Sequence, residues 1–399
     1  MSRRLVLSTM LHRPDLTTEW ESQLASTVGG LGLDISHLEF NWIDAWSEFM
    51  HMAIYGEGPN VSEFGTTWID DFASMNVLRP FTPAEIRQLG GPSTFVPAVW
   101  NSAIARDGEV FAIPFLTDVR LVCYRRDLLA RAGVNEAKAF DTPKHFEQTL
   151  KALQEAGIPL PYYNAVNRTT ENVHHLGMWL WQAGEDFIDE SGKHILLDRP
   201  NARTAMRNYL RLYRYMPEEA RRLSPDGVRQ MLAGARPAVF VSDLQQIRLT
   251  MSDPAMAQNL GLAIPLGKSY IGGSNLVIWR WTDRVEDAIK LLAHLTGREF
   301  QSTFPKAAWM MPGRMDLLDI IPLPEAPGFH SVIEQAVRTG RPLPKVRLWG
   351  LIEARLVDGM AALLADLVAS PDTDPDLDAL LDKHIIPIGR RLQMMLSNS

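Results

Sequence analysis

The chain has 399 residues, 46% hydrophobic and 22% charged, with a net charge of -7. That length exceeds what one hydrophobic core serves and points to two domains, with three as the alternative. Scattered basic residues set nucleic acid aside, the acidic balance argues against anionic surfaces or substrates, and one cysteine, Cys123, excludes an intramolecular disulfide or a cysteine-based metal cage.

Residues 5–10 read as a first buried strand. The apolar run behind Met1-Ser2-Arg3-Arg4 is too short for a signal peptide and lacks a small-residue cleavage site, and no run reaches the ~20 apolar residues of a membrane span. The compartment is therefore cytoplasmic if Met1 is the native start, or extracytoplasmic if an export signal was removed. A helix over 16–28 is stopped by Gly29, Gly30 and Gly32, and a strand follows over 38–42. A helix over 45–55 places Trp46, Phe49, Met50 and Ala53 on one face, and Gly56-Glu57-Gly58-Pro59 turns the chain. Next come a strand over 60–64 and a short helix over 68–75. This βαβαβ alternation predicts a parallel sheet with right-handed crossovers.

Two further strands are predicted over 110–115, closed by Pro114, and 119–124, then a helix over 126–132 that Gly133 stops. Thr142-Pro143 reads as an N-cap and first helical position, with Gly157 as the end. The stretch 172–270 is helix-rich: helices over 174–182, 202–216 and 224–233 surround strands over 194–197, 238–241 and 262–265. A strand over 275–279 precedes a helix over 283–296. The tail is helical over 348–367 and 376–395, with a kink at Pro387.

No catalytic signature emerges, and neither a metal nor a cofactor is expected. His174 and His175 are adjacent, so on a helix they point about 100° apart and cannot chelate one metal. Asp70-Asp71 and Glu218-Glu219 read as solvated helix faces, and Cys123 as a small buried hydrophobe. The 11 tryptophans are more informative. Trp42 ends a predicted strand, Trp68 follows the third strand across Gly65-Thr66-Thr67, and Trp309 lies in a loop before Pro312-Gly313. In open α/β sheets ligands bind beyond the carboxyl ends of strands, where flat rings suit the C–H faces of a sugar and polar groups its hydroxyls. Asp118 and Asp243 follow strands, Gly272 and Gly273 expose backbone before Asn275, and Arg314 and Arg347 offer forked donors. His12, Thr67 and Trp181 complete the candidate ligand set. Trp20, Trp46, Trp100 and Trp281 sit in helical or interior contexts and read as packing.

The run Asp107-Gly108-Glu109-Val110-Phe111-Ala112-Ile113-Pro114, continuing through Asp118 to Cys123-Tyr124-Arg125-Arg126-Asp127-Leu128-Leu129, resembles the interdomain crossover of solute-binding proteins that serve ATP-driven sugar importers, the maltose-binding-protein-like family. Gly56-Glu57-Gly58-Pro59-Asn60-Val61, Leu180-Trp181-Gln182-Ala183-Gly184, Gly272-Gly273-Ser274 and Met311-Pro312-Gly313-Arg314 resemble further phrases of that family in the same order. The resemblance implies an α/β, two-lobed periplasmic-binding-protein type II clamshell with parallel-rich mixed sheets flanked by helices. Its N-terminal lobe would comprise 1–115 plus 268–315 and its C-terminal lobe 116–267 plus 316–399, with the ligand cleft between them. It also implies a monomeric, non-enzymatic receptor for a mono- or oligosaccharide, periplasmic or on the cell surface, that delivers its ligand to the membrane permease of an ABC importer. Asp118 matches an acidic sugar ligand of some relatives, whereas Ser274 replaces an aromatic that some disaccharide binders carry. Stacked aromatics and cleft carboxylates also describe glycosidases, so a glycoside-processing enzyme is the reading from another class. A cytoplasmic sugar sensor is the third.

Overall fold

The structure, a computed structural model, describes residues 4–10, 22, 30–223, 225–234, 236–251, 257–308, 310–320, 328–370 and 375–397, without the side chains of 43, 225, 226, 306–308 and 320. The chain forms two compact units: Met1–Asp118, Ile271–Pro322 and Arg347–Gly350 make the first, and Val119–Tyr270, Leu323–Val346 and Leu351–Ser399 the second. Strands follow in chain order as β1 (Leu5–Met10), β2 (Ile35–Phe40), β3 (Val61–Gly65), β4 (Ala112–Val119), β5 (Leu121–Arg125), β6 (Tyr162–Tyr163), β7 (Val239–Ser242), β8 (Leu260–Ala263), β9 (Ile271–Ile278) and β10 (Met311–Pro312).

The first unit is built on a sheet of order β10-β4-β9-β3-β1-β2. β1 pairs in parallel with both β2 and β3, as the βαβαβ alternation predicts, while β9 lies antiparallel to β3 and β10 antiparallel to β4. An antiparallel neighbour needs no crossover helix of its own, so β9 can enter beside β3 after a long excursion of the chain. Alternation along β9 divides the core between the two faces. Leu276 and Ile278 pack with Leu5, Leu7, Val61 and Phe115 against Leu291, Leu292 and Leu295 of the Val285–Leu295 helix. Val277 and Trp279 pack with Met10 and Phe64 against Phe49 of the Trp42–Tyr55 helix and Phe72 of the Ile69–Ser74 helix.

Sequence and structure part over the second strand. β2 ends at Phe40, because the Asn41 carbonyl accepts from Asp44 N at 3.1 Å and Ala45 N at 2.8 Å and so starts a helix at Trp42. Trp42 thus opens a helix instead of ending a strand. Pro114 does not close its strand either; β4 runs on through Val119. The predicted helix over 16–28, Trp20 and Gly29 lie outside the described residues, apart from residue 22.

The second unit holds a sheet of order β6-β7-β5-β8, with β5 antiparallel to β7 and β8 and β6 parallel to β7. Thr142 caps the Pro143–Glu155 helix by accepting from His145 N at 3.1 Å, with Pro143 at its first position. The predicted strand over 194–197 is reduced to a single bridge between Ile188 and Ile195. Its cause is the Asp189 carboxylate, which accepts from Lys193 N at 2.9 Å and His194 N at 3.1 Å and holds the segment as a turn. The helix predicted over 202–216 is α-helical only across Pro200–Arg211 and tightens to a 3-10 turn at Leu212–Tyr215. In the tail, the Leu377–His384 and Ile386–Ser397 helices break at Ile385, before Pro387, since a proline in a first turn gives up no hydrogen bond.

Cys123 sits on β5 opposite Phe240 and Leu262, fully buried, and burial pushes its thiol up to about 12. A thiol of that pKa holds almost no thiolate at pH 8. The folded protein should therefore leave Ellman's reagent uncoloured over an hour at that pH, with one equivalent released on adding denaturant; rapid release without denaturant would contradict the burial.

Candidate functional site

In the first unit the candidate residues converge where β3 ends and β9 begins. Gly65 pairs with Ser274 and Phe64 with Asn275, and Thr66 N donates to the Gly273 carbonyl at 3.2 Å. The turn Gly65-Thr66-Thr67 then places Trp68 at the head of the Ile69–Ser74 helix, its ring 5.8 Å from that of Trp42 at an interplanar angle of 57°. Gly65 lets both rings close over the strand end: a Cβ there would lie 3.1 Å from the Trp68 ring and 3.5 Å from that of Trp42. Trp68 is 6% exposed and rests on Phe49 and Phe64, whereas Trp42, Thr66 and Thr67 are half-buried. Gly273, half-buried at φ 137°, lies directly on β4; a Cβ would sit 2.0 Å from the Leu116 oxygen and 2.9 Å from Thr117 Cα. The twin glycine thus brings the Thr117-Asp118 end of β4 beside the strand ends carrying the two rings. Asp118 itself is half-buried and closes the first unit's share of β4.

Three candidates are placed differently. Asn275 is fully buried and donates from Nδ2 to Ser102 Oγ at 2.9 Å, so its side chain serves the interior. Arg314 spends its guanidinium on Asp316, at 2.9 and 3.2 Å, and on the Thr296 carbonyl at 3.3 Å. Arg347 is exposed, and its charge acts on Asp71. Gly272 is buried on β9, and His12 and Trp309 lie outside the described residues.

In the second unit Asp243 follows β7 and caps the Leu244–Leu249 helix, Oδ1 accepting from Gln246 N at 2.8 Å. Its Oδ2 is 4.0 Å from Nη1 of Arg120, a guanidinium only 5% exposed that lies 5.6 Å over the Tyr270 ring. Arg120 Nη2 donates to His174 Nδ1 at 3.3 Å, and His174 stacks on Tyr270 at 4.1 Å and 8°. Burial, and then the Arg120 charge, hold His174 well below its ordinary pKa, so the imidazole is neutral and free to accept. Seven residues on along the Glu171–Gln182 helix, and so on the same face, Trp181 lies under Arg341 at 5.2 Å, and Arg341 pairs with Asp186 at 2.5 Å. Burial raises the pKa of Asp186 despite that guanidinium. The Tyr270 and Arg341 backbones form an isolated parallel bridge, which brings the stretch carrying Asp243, Arg120, His174 and Tyr270 next to the one carrying Arg341 over Trp181.

Sequence reasoning missed Arg120, Tyr270 and the use of His174. A signal for Arg120 existed: a lone charge between Val119 and Leu121, two residues after Asp118, in a strand apolar on both sides. The pair Asp70-Asp71 was misread as solvated; the two are 7% and 9% exposed. Chemically, the first unit offers the half-buried Trp42 ring, backed by the buried Trp68, and a half-buried carboxylate, and the second a carboxylate and a guanidinium over aromatic rings. These are groups that stack on and hydrogen-bond a polyhydroxylated ligand.

Residues 38–302, more than half of the chain, match the profile of the bacterial extracellular solute-binding protein family. Among curated proteins the chain is 21% identical over 310 residues to the diacetylchitobiose binding protein DasA of Streptomyces coelicolor, covering 74% of this chain and 69% of that one. Among solved structures, maltose-bound MalE3 of T. maritima superposes with a TM-score of 0.81 at 20% identity, over 98% of this chain and 99% of that one. A solute-binding protein of Thermotoga lettingae bound with alpha-D-tagatose gives 0.79 at 19%, over 98% and 100%. The acarbose-binding GacH receptor of Streptomyces glaucescens gives 0.77 at 16%, over 99% of each. With the family profile spanning both strand ends that carry the ring pair and the whole of the crossover segment, the chain belongs to the bacterial extracellular solute-binding proteins.

Proposed function

We propose that this protein is a non-enzymatic carbohydrate receptor that works outside the cytoplasm and passes its ligand to the membrane permease of an ABC importer. The observation that carries the reading is the Trp42–Trp68 ring pair set over the end of β3 beside the close-packed Gly273. The half-buried Trp42 ring, braced by the buried Trp68, suits the C–H surface of a pyranose, and Thr67 and Asp118 provide hydroxyl and carboxylate groups from the same unit. Within the second unit, Asp243 and Trp181 are groups of the same chemistry. The relatives point the same way, being described with diacetylchitobiose, maltose, tagatose and acarbose. Among the described residues no helix is long and apolar enough to cross a membrane.

Thermal melting against a panel of mono- and oligosaccharides, with amino acids and peptides as controls, tests the proposal. A sugar at 100 times its Kd should stabilise by roughly 2.7 kcal/mol and be recovered unaltered from the mixture. A melting point raised by amino acids or peptides but by no carbohydrate overturns the ligand class. Hydrolysis of the sugar by pure protein overturns the non-enzymatic reading.

A further inference from the structure

The start of the Trp349–Ala369 helix is bound to the first unit through a buried acid. Residues Arg347–Gly350 belong to that unit, although the rest of the helix belongs to the second. Leu348 N donates to Asp71 Oδ1 at 2.7 Å and Gly350 N to Oδ2 at 3.1 Å, so one carboxyl takes two of the N–H groups that a helix N-terminus leaves unpaired. The turn is shaped for this seat. Leu348 adopts φ 63°, a left-handed conformation that costs a leucine of order 1 kcal/mol. Gly350 lies so close to the Trp42–Tyr55 helix that a Cβ would fall 2.2 Å from Trp46 Nε1. The seat is also poorly suited to negative charge. Asp71 is 9% exposed, with Asp70 beside it at 7%. Of the cations present, Arg106 contacts Asp70, at 3.2 Å, and Arg347 stands exposed beside the turn.

We propose that Asp71 is a proton-operated clasp: it holds the Arg347–Gly350 turn more firmly when its carboxyl is protonated, so acidification stiffens the segment by which the long helix leaves the first unit. Desolvation is the dominant influence on Asp71, with Asp70 adding to it and the two backbone N–H groups and Arg347 opposing, and the balance pushes the group up to about 6. Undocking exposes the carboxyl to water and returns it toward its ordinary value, near 3.9. The docked state then binds the proton more tightly than the undocked one. Docking is consequently weakest above pH 6 and strengthens as the pH falls from about 6 toward 4. If the two hydrogen bonds to the ionised carboxylate outweighed its burial, the sign would reverse.

Amide hydrogen exchange in the full-length protein without ligand decides between these, and its outcome does not depend on whether a sugar binds. Corrected for intrinsic chemistry, the opening constant of Leu348 and Gly350 should fall about tenfold between pH 7 and pH 5. In Asp71→Asn, which cannot ionise, it should be independent of pH. Circular dichroism and melting of the variant against the parent report whether it folds, and should it not, the parent profile alone carries the test. A flat parent profile, or opening that grows with acid, overturns the clasp, as does a pH dependence that persists in a folded Asp71→Asn.

Discussion

Replacing Gly273 by alanine should destabilise the first unit by about 3–5 kcal/mol, the largest effect expected of any single added methyl group in the strands around the ring pair. The new Cβ would meet the Leu116 oxygen at 2.0 Å, its carbonyl carbon at 2.8 Å and Thr117 Cα at 2.9 Å. All three are backbone, and none can rotate away as a side-chain tip could. Leu116 and Thr117 are fixed in β4 by pairing with Pro312 and Met311, and Gly273 by its place on β9 and by the Thr66 hydrogen bond to its carbonyl. A φ of 137° adds strain for any L side chain, whatever the space. Gly133→Ala is the control: it also has positive φ, 69°, but nothing lies within 4 Å of its Cβ, so it should cost only about 1 kcal/mol. Urea unfolding of parent and both variants reads the difference. Equal losses for the two glycines would show that conformation alone, and not the close approach of two strands, demands Gly273.

Much of the first unit was legible because period-2 and period-3.6 patterns are strong there. The predicted strand over 5–10 is β1 as observed, and the third strand differs by one residue at each end. Where the reading slipped, a side-chain or carbonyl hydrogen bond overrode the hydrophobic pattern. Asn41 started a helix one residue after β2, and Asp189 turned an expected strand into a loop. Where chain punctuation marks a strand end, as at Gly65 before Trp68, the sequence located the element boundary that carries a candidate residue. It was silent where the decisive fact is what lies on the far side of a side chain. Asn275 and Ser274 are neighbours on one strand, yet nothing local reveals that Asn275 meets Ser102, 173 positions away in the chain. Asp71 is the same case in stronger form, since its partners Leu348 and Gly350 lie 277 and 279 positions away. No local pattern announces a buried carboxyl whose hydrogen bonds come from the other end of the sequence.

Trp42 and Trp68 touch each other but should separate under mutation, and the separation tests the proposed sugar site. Trp68 is 6% exposed and meets Phe49 at 6.2 Å and Phe64 at 5.9 Å, so Trp68→Ala opens a cavity in the core and should cost about 3–5 kcal/mol of stability. Trp42 is half-buried at the start of its helix, where truncation should cost about 1 kcal/mol. The order inverts for ligand. A sugar stacked on the exposed part of Trp42 loses that face outright in Trp42→Ala, and one aromatic contact of about 1.4 kcal/mol corresponds to a tenfold rise in Kd. Trp42→Phe keeps a flat ring and should recover part of that loss. Calorimetric titration with whichever sugar raises the melting point, beside urea unfolding of the same variants, gives both axes. A ligand site requires Trp42→Ala to fall far down the affinity axis and hardly at all on stability. If it falls on stability alone, the two rings are packing that happens to end at a surface, and the carbohydrate must be held elsewhere.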